Sequence, residues 1–312
     1  MTDVTCDIPS SATWTASTVA AGPATGARAL DLRVWNGIDL RLLPDRGLDA
    51  GAAWHRGVPL AWISPLGERP ARPDDFIGSW SGGLVTTCGL HNVGPASEGH
   101  PVHGRLHQQP AGAVSVERTV DGEAVVLRAR GVVEDGGALG CRLRLEREWT
   151  VRTGVGLLEL RDVTTNVGAE PAAAPLLYHV NVGEPLWSPG ATVDVSGSTA
   201  PADEAMRRAP ARDAAPSDAA LEHAFAPDGD GWGAATVDSP AAGLRLTLRW
   251  RAAELPRLHQ WTHVAPGTRV LALEPANTGG GGRAADRAEG RLAELPPGAA
   301  RETRLSIEVA PR

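Results

Sequence analysis

The sequence predicts an all-β fold, a large antiparallel β-sandwich built as a single domain. Three observations predict it: period-2 alternation recurs along the chain, Gly, Pro, Asn or Asp clusters separate most of the alternating runs, and helical patterns are nearly absent. Residues 1–27 read as an N-terminal extension packing on the domain formed by 28–312. Within that domain Ile38–Leu43, Ala113–Val120, Ala124–Arg130, Arg142–Val151, Leu157–Thr164, Thr192–Val195, Thr268–Glu274 and Thr303–Val309 alternate as half-buried strands. Gly243–Arg251 is the clearest case, with Leu244, Leu246, Leu248 and Trp250 facing one way and Arg245, Thr247, Arg249 and Arg251 the other. Residues 202–226 read as an irregular excursion with a short helical turn, because Pro210 and Pro216 break any longer helix. Gly279–Gly282 reads as a flexible tip, since no P-loop lysine or Ser/Thr follows it. Two sheets face to face would bury the leucines and valines and leave a concave outer face for a polar ligand.

Composition bounds the function. The chain has 312 residues, 42% of them apolar, with 37 acidic against 30 basic side chains and a net charge of −7. That excludes a mini-protein, a disordered tail and a polybasic nucleic-acid binder. Every basic side chain is arginine. The three cysteines, Cys6, Cys88 and Cys141, form no CxxC pair, and no apolar run is long enough to span a membrane. The expectation is a cytoplasmic protein with reduced thiols, a small-molecule partner, and no nucleic-acid or membrane partner; oligomeric state is not legible.

Alternation singles out a few polar side chains on otherwise apolar strands. In Pro175–Asn181, His179 and Asn181 share one face and Tyr178 and Val180 the other; His179 is either a histidine satisfied by the backbone or a functional group. Glu274 ends an apolar strand beside the small Ala272, where partial desolvation would raise its pKa toward that of a general base; a solvated strand end is the other reading. His91, His100, His103 and His107 crowd one glycine-bounded segment, yet they show no HxH or HExxH spacing and no metal is implied. His259, Trp261 and His263 share a face, and a tryptophan among polar groups suits the C–H face of a sugar ring.

In order and spacing, LLPDRGLDAGAAWHRGVPLAWISP (Leu42–Pro65), GGLVTTCGLHNVGP (Gly82–Pro95), HGRLHQQPA (His103–Ala111), PLLYHVNVGEP (Pro175–Pro185), HQWTH (His259–His263) and LALEPANTGG (Leu271–Gly280) carry a resemblance. The chain resembles the aldose 1-epimerase, or galactose mutarotase-like, superfamily, and within it a bacterial branch of uncharacterised aldose-1-epimerase-like domain proteins. The resemblance implies a β-supersandwich that binds a sugar and interconverts its anomers without a cofactor, with Glu274 as base and His179 as acid. It implies a sugar-hydroxyl contact from His103; on the same reading Arg46, Asn92, Arg105, Asn181 and Asn277 would hold further hydroxyls, Trp261 would pack on the sugar ring, and Glu222 is a candidate for a further carboxylate. The histidine strand lacks the family's usual preceding Asn and following aromatic. A non-catalytic sugar-binding or regulatory protein on the same fold, or another sugar epimerase or isomerase, are the alternatives.

Overall fold

The computed structural model describes residues 10–72, 75–198, 204–292 and 294–312. Among these, two large antiparallel sheets stack on each other. One runs Ala12–Thr18, Arg28–Val34, Ile38–Leu43, Asp49–His55, Val85–Gly89, Leu176–Val182, Thr268–Ala276, Arg257–Ala265, Ser217–His223, with Val58–Pro59 beside the fourth strand. The other runs Thr192–Val195, Trp232–Ser239, Leu244–Arg251, Ala300–Pro311, Leu157–Asn166, Arg142–Arg152, Ala124–Gly136, Ala111–Asp121. No helix among the described residues is long and apolar enough to cross a membrane.

Alternation sets which side chains meet between the sheets. Leu244, Leu246, Leu248 and Trp250 point inward, as their spacing requires, against Leu305, Ile307 and Val309 on the next strand and the inner leucines of the first sheet. Three adjacent strands of the first sheet depart from the half-exposed pattern: every residue of Val85–Gly89 and Leu176–Val182 and most of Thr268–Ala276 are buried. Their second face lies under loops, and that covered face holds the candidate site.

A buried ionic network joins the sheets directly behind this face. Arg147, fully inaccessible, donates from Nε to Asp162 Oδ1 at 2.9 Å, from Nη1 to Asp49 Oδ1 at 2.5 Å and from Nη2 to Thr87 Oγ1 at 2.8 Å. Tyr178 donates to Asp162 Oδ2 at 2.7 Å. Asp49, Thr87 and Tyr178 belong to the first sheet and Arg147 and Asp162 to the second, so these bonds fix the position of the strand that carries His179. Such a network sets registry more than it adds net stability, because desolvation offsets much of the Coulomb attraction.

Three sequence expectations need correction. The excursion at 202–226 contains an edge strand, Ser217–His223, which pairs along its length with Arg257–Ala265; Pro216 stands just before the first residue, where it disrupts no ladder bond. Residues 199–203 lie outside the described residues. The glycine run is a packed close approach, not a free tip: a Cβ on Gly94 would collide with the Gly280 carbonyl, and Gly279 N–H donates to Asp286 Oδ1 at 3.0 Å. Of the N-terminal extension, Ala12–Thr18 is an integral edge strand paired with Arg28–Val34, while residues 1–9, Cys6 included, lie outside the described residues.

Candidate active site

His179 and Glu274 sit on neighbouring strands. The antiparallel register pairs Leu177 with Ala276 and Val180 with Leu273, which sets His179 opposite Glu274. Both project to the outer face of the first sheet, away from the inward-facing Tyr178, Val180, Leu271 and Leu273. His179 Nε2 lies 3.1 Å from Glu274 Oε1. Around them Leu177, Ala276, Cys88 and Val93 make an apolar floor.

The hydrogen bonds define the proton inventory. Asn181 donates from Nδ2 to the carbonyls of Gly83 (2.9 Å) and His179 (3.0 Å), so its Oδ1 is left to accept from His179 Nδ1–H. The imidazole therefore turns the Nε2 lone pair toward Glu274. Burial pushes Glu274 up to about 7, with the nearby His259 opposing, and burial pulls His179 down to about 4, with the Asn181 hydrogen bond opposing. Between those limits the pair holds one proton across a 3.1 Å contact. An acid and a base that share one proton, both nearly buried, are equipped to move protons on and off adjacent oxygens.

Aromatic rings wall the pair. Trp80 stands edge-on to His179 at 5.0 Å and Trp261 at 5.7 Å, and Trp62 packs on Trp80 at 5.1 Å. Trp80 is held by Nε1–H donation to Thr86 Oγ1 at 3.0 Å, Thr86 being opposite His179 in the sheet. A single helical turn, Phe76–Ser79, delivers Trp80; Asp75 caps it by accepting from Gly78 N–H at 2.8 Å. Trp261 is steadied by donation to Asp218 Oδ1 at 3.0 Å, whose other oxygen lies 3.0 Å from His263 Nδ1.

The four-histidine segment divides. His103 and His107 pack on Phe76 at 4.9 and 4.8 Å, and His103 lies 6.2 Å from His179. His103 Nδ1 accepts from Gly94 N–H at 3.3 Å, so its hydrogen is on Nε2, and burial beside His179 lowers its pKa to about 3. His91 and His100 stack elsewhere, next to Asp135 and Cys141. Among the described residues no group of three or more His, Cys, Asp or Glu is arranged to hold a metal.

The remaining expected sugar contacts separate into neighbours of the pair and scaffold. Trp261 and His103 flank it, and Asn181 acts through His179. Arg46, expected to hold hydroxyls, donates to the carbonyls of Arg69 (3.0 and 2.6 Å) and Ser79 (2.7 Å), and so holds the turn that carries Trp80. Asn92 is wholly buried, donating to Pro95 and Pro101 carbonyls and accepting from Arg283 N–H. Asn277 ties Leu176 N–H to the Ala174 carbonyl. Arg105 lies within electrostatic reach of Asp135 and His100, on the His91 side. Arg46, Asn92 and Asn277 sit where backbone polar groups needed partners, a demand invisible in a linear sequence.

One row was not anticipated. Strand register places His259 opposite Glu274 and Glu222 opposite His259, so His179, Glu274, His259 and Glu222 cross four strands on one face. Glu222 ion-pairs with Arg257 at the outer end, and His259 Nε2 lies 3.1 Å from the Thr278 carbonyl. Phe76, Trp62 and Trp80 were also missed; the only sequence signal was a tryptophan among glycines, in FIGSWSGG.

Residues 24–309 match the family described as a domain of unknown function, DUF4432. No curated protein matches the sequence. Among solved structures, a Klebsiella pneumoniae protein provisionally designated an aldose 1-epimerase superposes with a TM-score of 0.82 at 20% identity, over 96% of this chain and 84% of that one. A galactose mutarotase-like protein from Clostridium acetobutylicum gives 0.67 at 12% identity, over 97% of this chain and 100% of that one. A second provisional aldose 1-epimerase, from Escherichia coli, gives 0.56 at 16% identity, over 96% and 100%. The fold is thus the galactose mutarotase-like sandwich.

Proposed function

The chain belongs to the DUF4432 family, and we propose that it is a cofactor-independent aldose 1-epimerase that interconverts the α and β anomers of a sugar. The observation that carries this reading is the cross-strand pair, His179 Nε2 at 3.1 Å from Glu274 Oε1, on the outer face and walled by tryptophan.

Ring opening needs a base at the anomeric hydroxyl and an acid at the ring oxygen, two oxygens bonded to one carbon. Glu274 takes the hydroxyl proton as His179, protonated at Nε2, gives one to the ring oxygen; the C1–O5 bond breaks and the open-chain aldehyde forms. Rotation about C1–C2 and the reverse transfers close the ring with the other hand at C1. The shared proton supplies the starting state, since moving it from Glu274 to His179 yields carboxylate and imidazolium together without exchange with solvent. Asn181 fixes the tautomer, and the rings of Trp80 and Trp261 offer faces to the sugar's C–H edge. His103 Nε2–H is a hydroxyl contact, and Glu222 is available at the far end of the row. The unpaired Cys88 and Cys141 suit a reducing, cytoplasmic setting.

NMR exchange between anomers, across a panel of aldoses, tests the reading without a guess about the substrate. Glu274→Gln should retain the fold and most sugar affinity while exchange falls by about 100-fold or more. Exchange as fast as in the parent would leave a sugar-binding protein without catalysis as the better reading.

A further inference from the structure

The His91 side of the four-histidine segment, which the proposed reaction does not use, joins a thiol, an imidazole and a carboxylate. We infer that Cys141 is a nucleophilic thiol, with His91 as its base and Asp135 as the group that orients the base, and that it is oxidised by a hydroperoxide to the sulfenic acid.

Cys141 lies in the hairpin between Ala124–Gly136 and Arg142–Arg152, where the neighbouring Leu139 is fully exposed; Cys141 itself is partly exposed. His91 Nε2–H donates to the Asp135 carbonyl at 3.4 Å. A carbonyl can only accept, so the hydrogen is on Nε2 and the Nδ1 lone pair faces the Cys141 thiol, whose Sγ is 3.6 Å away. Asp135 Oδ1 lies 3.8 Å from the same Nε2. Thiol, base and orienting carboxylate thus follow in the order that activates a nucleophile. The imidazole is held in place, because its ring stacks on His100 at 5.4 Å and 17° and Arg283 Nη1 donates to the His91 carbonyl at 3.0 Å.

Asp135 is 3% exposed, and its Oδ2 has no hydrogen-bond partner. A buried carboxylate oxygen without a donor is costly unless a cation faces the group, and His91 becomes that cation when it takes the thiol proton. The other titratable and charged groups in electrostatic reach are His100, Arg105, Arg283 and Glu98. Arg142, next to Cys141 in the chain, donates to the Val167 carbonyl at 3.2 Å. Cys88, by contrast, is wholly inaccessible in the apolar floor beneath His179 and Glu274.

In the reaction the sulfur attacks one peroxide oxygen as His91 takes the thiol proton. The S–O bond forms, the O–O bond breaks, and the leaving hydroxide recovers that proton from His91 and departs as water. Sulfur is oxidised by two electrons and the peroxide is reduced by two.

Hydrogen peroxide is to be added to the full chain, folded and unfolded in urea, with the sulfenic acid trapped by dimedone and located by peptide mass spectrometry. A free thiol is only about 3% thiolate at pH 7. Folded Cys141 should therefore be oxidised at least about tenfold faster at pH 7 than the same residue in the unfolded chain, with Cys88 protected by folding. At pH 9, where solvent deprotonates a free thiol, the ratio should fall to about threefold or less. His91→Gln should abolish the advantage at pH 7 and leave the pH 9 rate within about threefold of the parent's, a pH dependence that a merely structural role would not produce. A smaller advantage at pH 7, an advantage that persists at pH 9, or a folded His91→Gln that keeps it would each overturn the assignment. The parent's folded-to-unfolded comparison needs no variant and decides alone if His91→Gln does not fold.

Discussion

Glu274→Gln is expected to stabilise the protein in a pH-dependent way, whatever reaction the site performs. The carboxyl is 7% exposed, lies over an apolar floor, and is raised from an ordinary 4.5 to about 7 by burial. Ionisation is therefore less favourable in the folded chain than in the unfolded one, by about 3 kcal/mol at about 1.4 kcal/mol per pH unit. Below pH 4.5 both states are protonated and nothing is lost. As pH rises from there to about 7 the unfolded chain ionises first, and the parent loses up to that amount; above 7 the loss is complete. Glutamine cannot ionise and can still donate to His179 Nε2, so its stability lacks this slope. Urea unfolding of parent and variant at pH 4.5 and pH 8 measures the effect as a double difference, in which the opposite slope from His179 largely cancels. The variant should gain about 3 kcal/mol on the parent between the two pH values. A gain below about 1 kcal/mol would show that burial does not hold Glu274 protonated near neutrality, and the shared-proton account of the pair would fall with it.

If one proton on the pair is the active form, anomer exchange should trace a bell against pH, with an acid limb near 4 and an alkaline limb near 7. The alkaline limb should vanish with what activity remains in Glu274→Gln; exchange that climbs steadily past pH 8 would contradict the assignment. Arg147→Met, which strands Asp162 and Asp49 in the core, should cost about 3–5 kcal/mol by urea unfolding, and a loss under 1 kcal/mol would show that the network has alternatives to its central cation. Gly94→Ala places a side chain at φ +88° against the Gly280 carbonyl, so hydrogen exchange should accelerate in the 90–104 and 277–290 segments; unchanged protection there would mean the two loops are not in contact.

The fold was legible because alternation is a local property that survives into the structure. Runs such as Leu244–Arg251 bury one face only, and that asymmetry is written in consecutive residues. Leu176–Val182 is buried throughout, yet it too reads as a strand, because alternation puts His179 and Asn181 on one side and Tyr178 and Val180 on the other. The strand at Ser217–His223 was lost to the prolines near it and to its lack of β-branched and aromatic residues; an edge strand with exposed alternate positions needs few, and it borrows its order from Arg257–Ala265.

The candidate site was legible only where alternation puts a polar group on an apolar strand. His179 and Glu274 were identifiable because each is a polar group on the wrong kind of strand, and register then brought them together. The scaffold bonds of the other expected residues were not legible, for a common reason. Arg46, Asn92 and Asn277 look like ligand contacts in a sequence because the same donors and acceptors serve a sugar hydroxyl or a backbone carbonyl, and only the tertiary path of the loops decides which is within reach. Trp80 and Phe76 were invisible for the converse reason: a one-turn helix after a glycine- and proline-rich loop has no period to read, and its residues reach His179 only because Arg46 and Asp75 hold the turn in place. Arg46 is thus part of the scaffold of the Trp80 wall. Removing Arg46 should act on the pair through Trp80, where the wall, and not a lost hydroxyl contact, sets the burial on which the Glu274 proton depends.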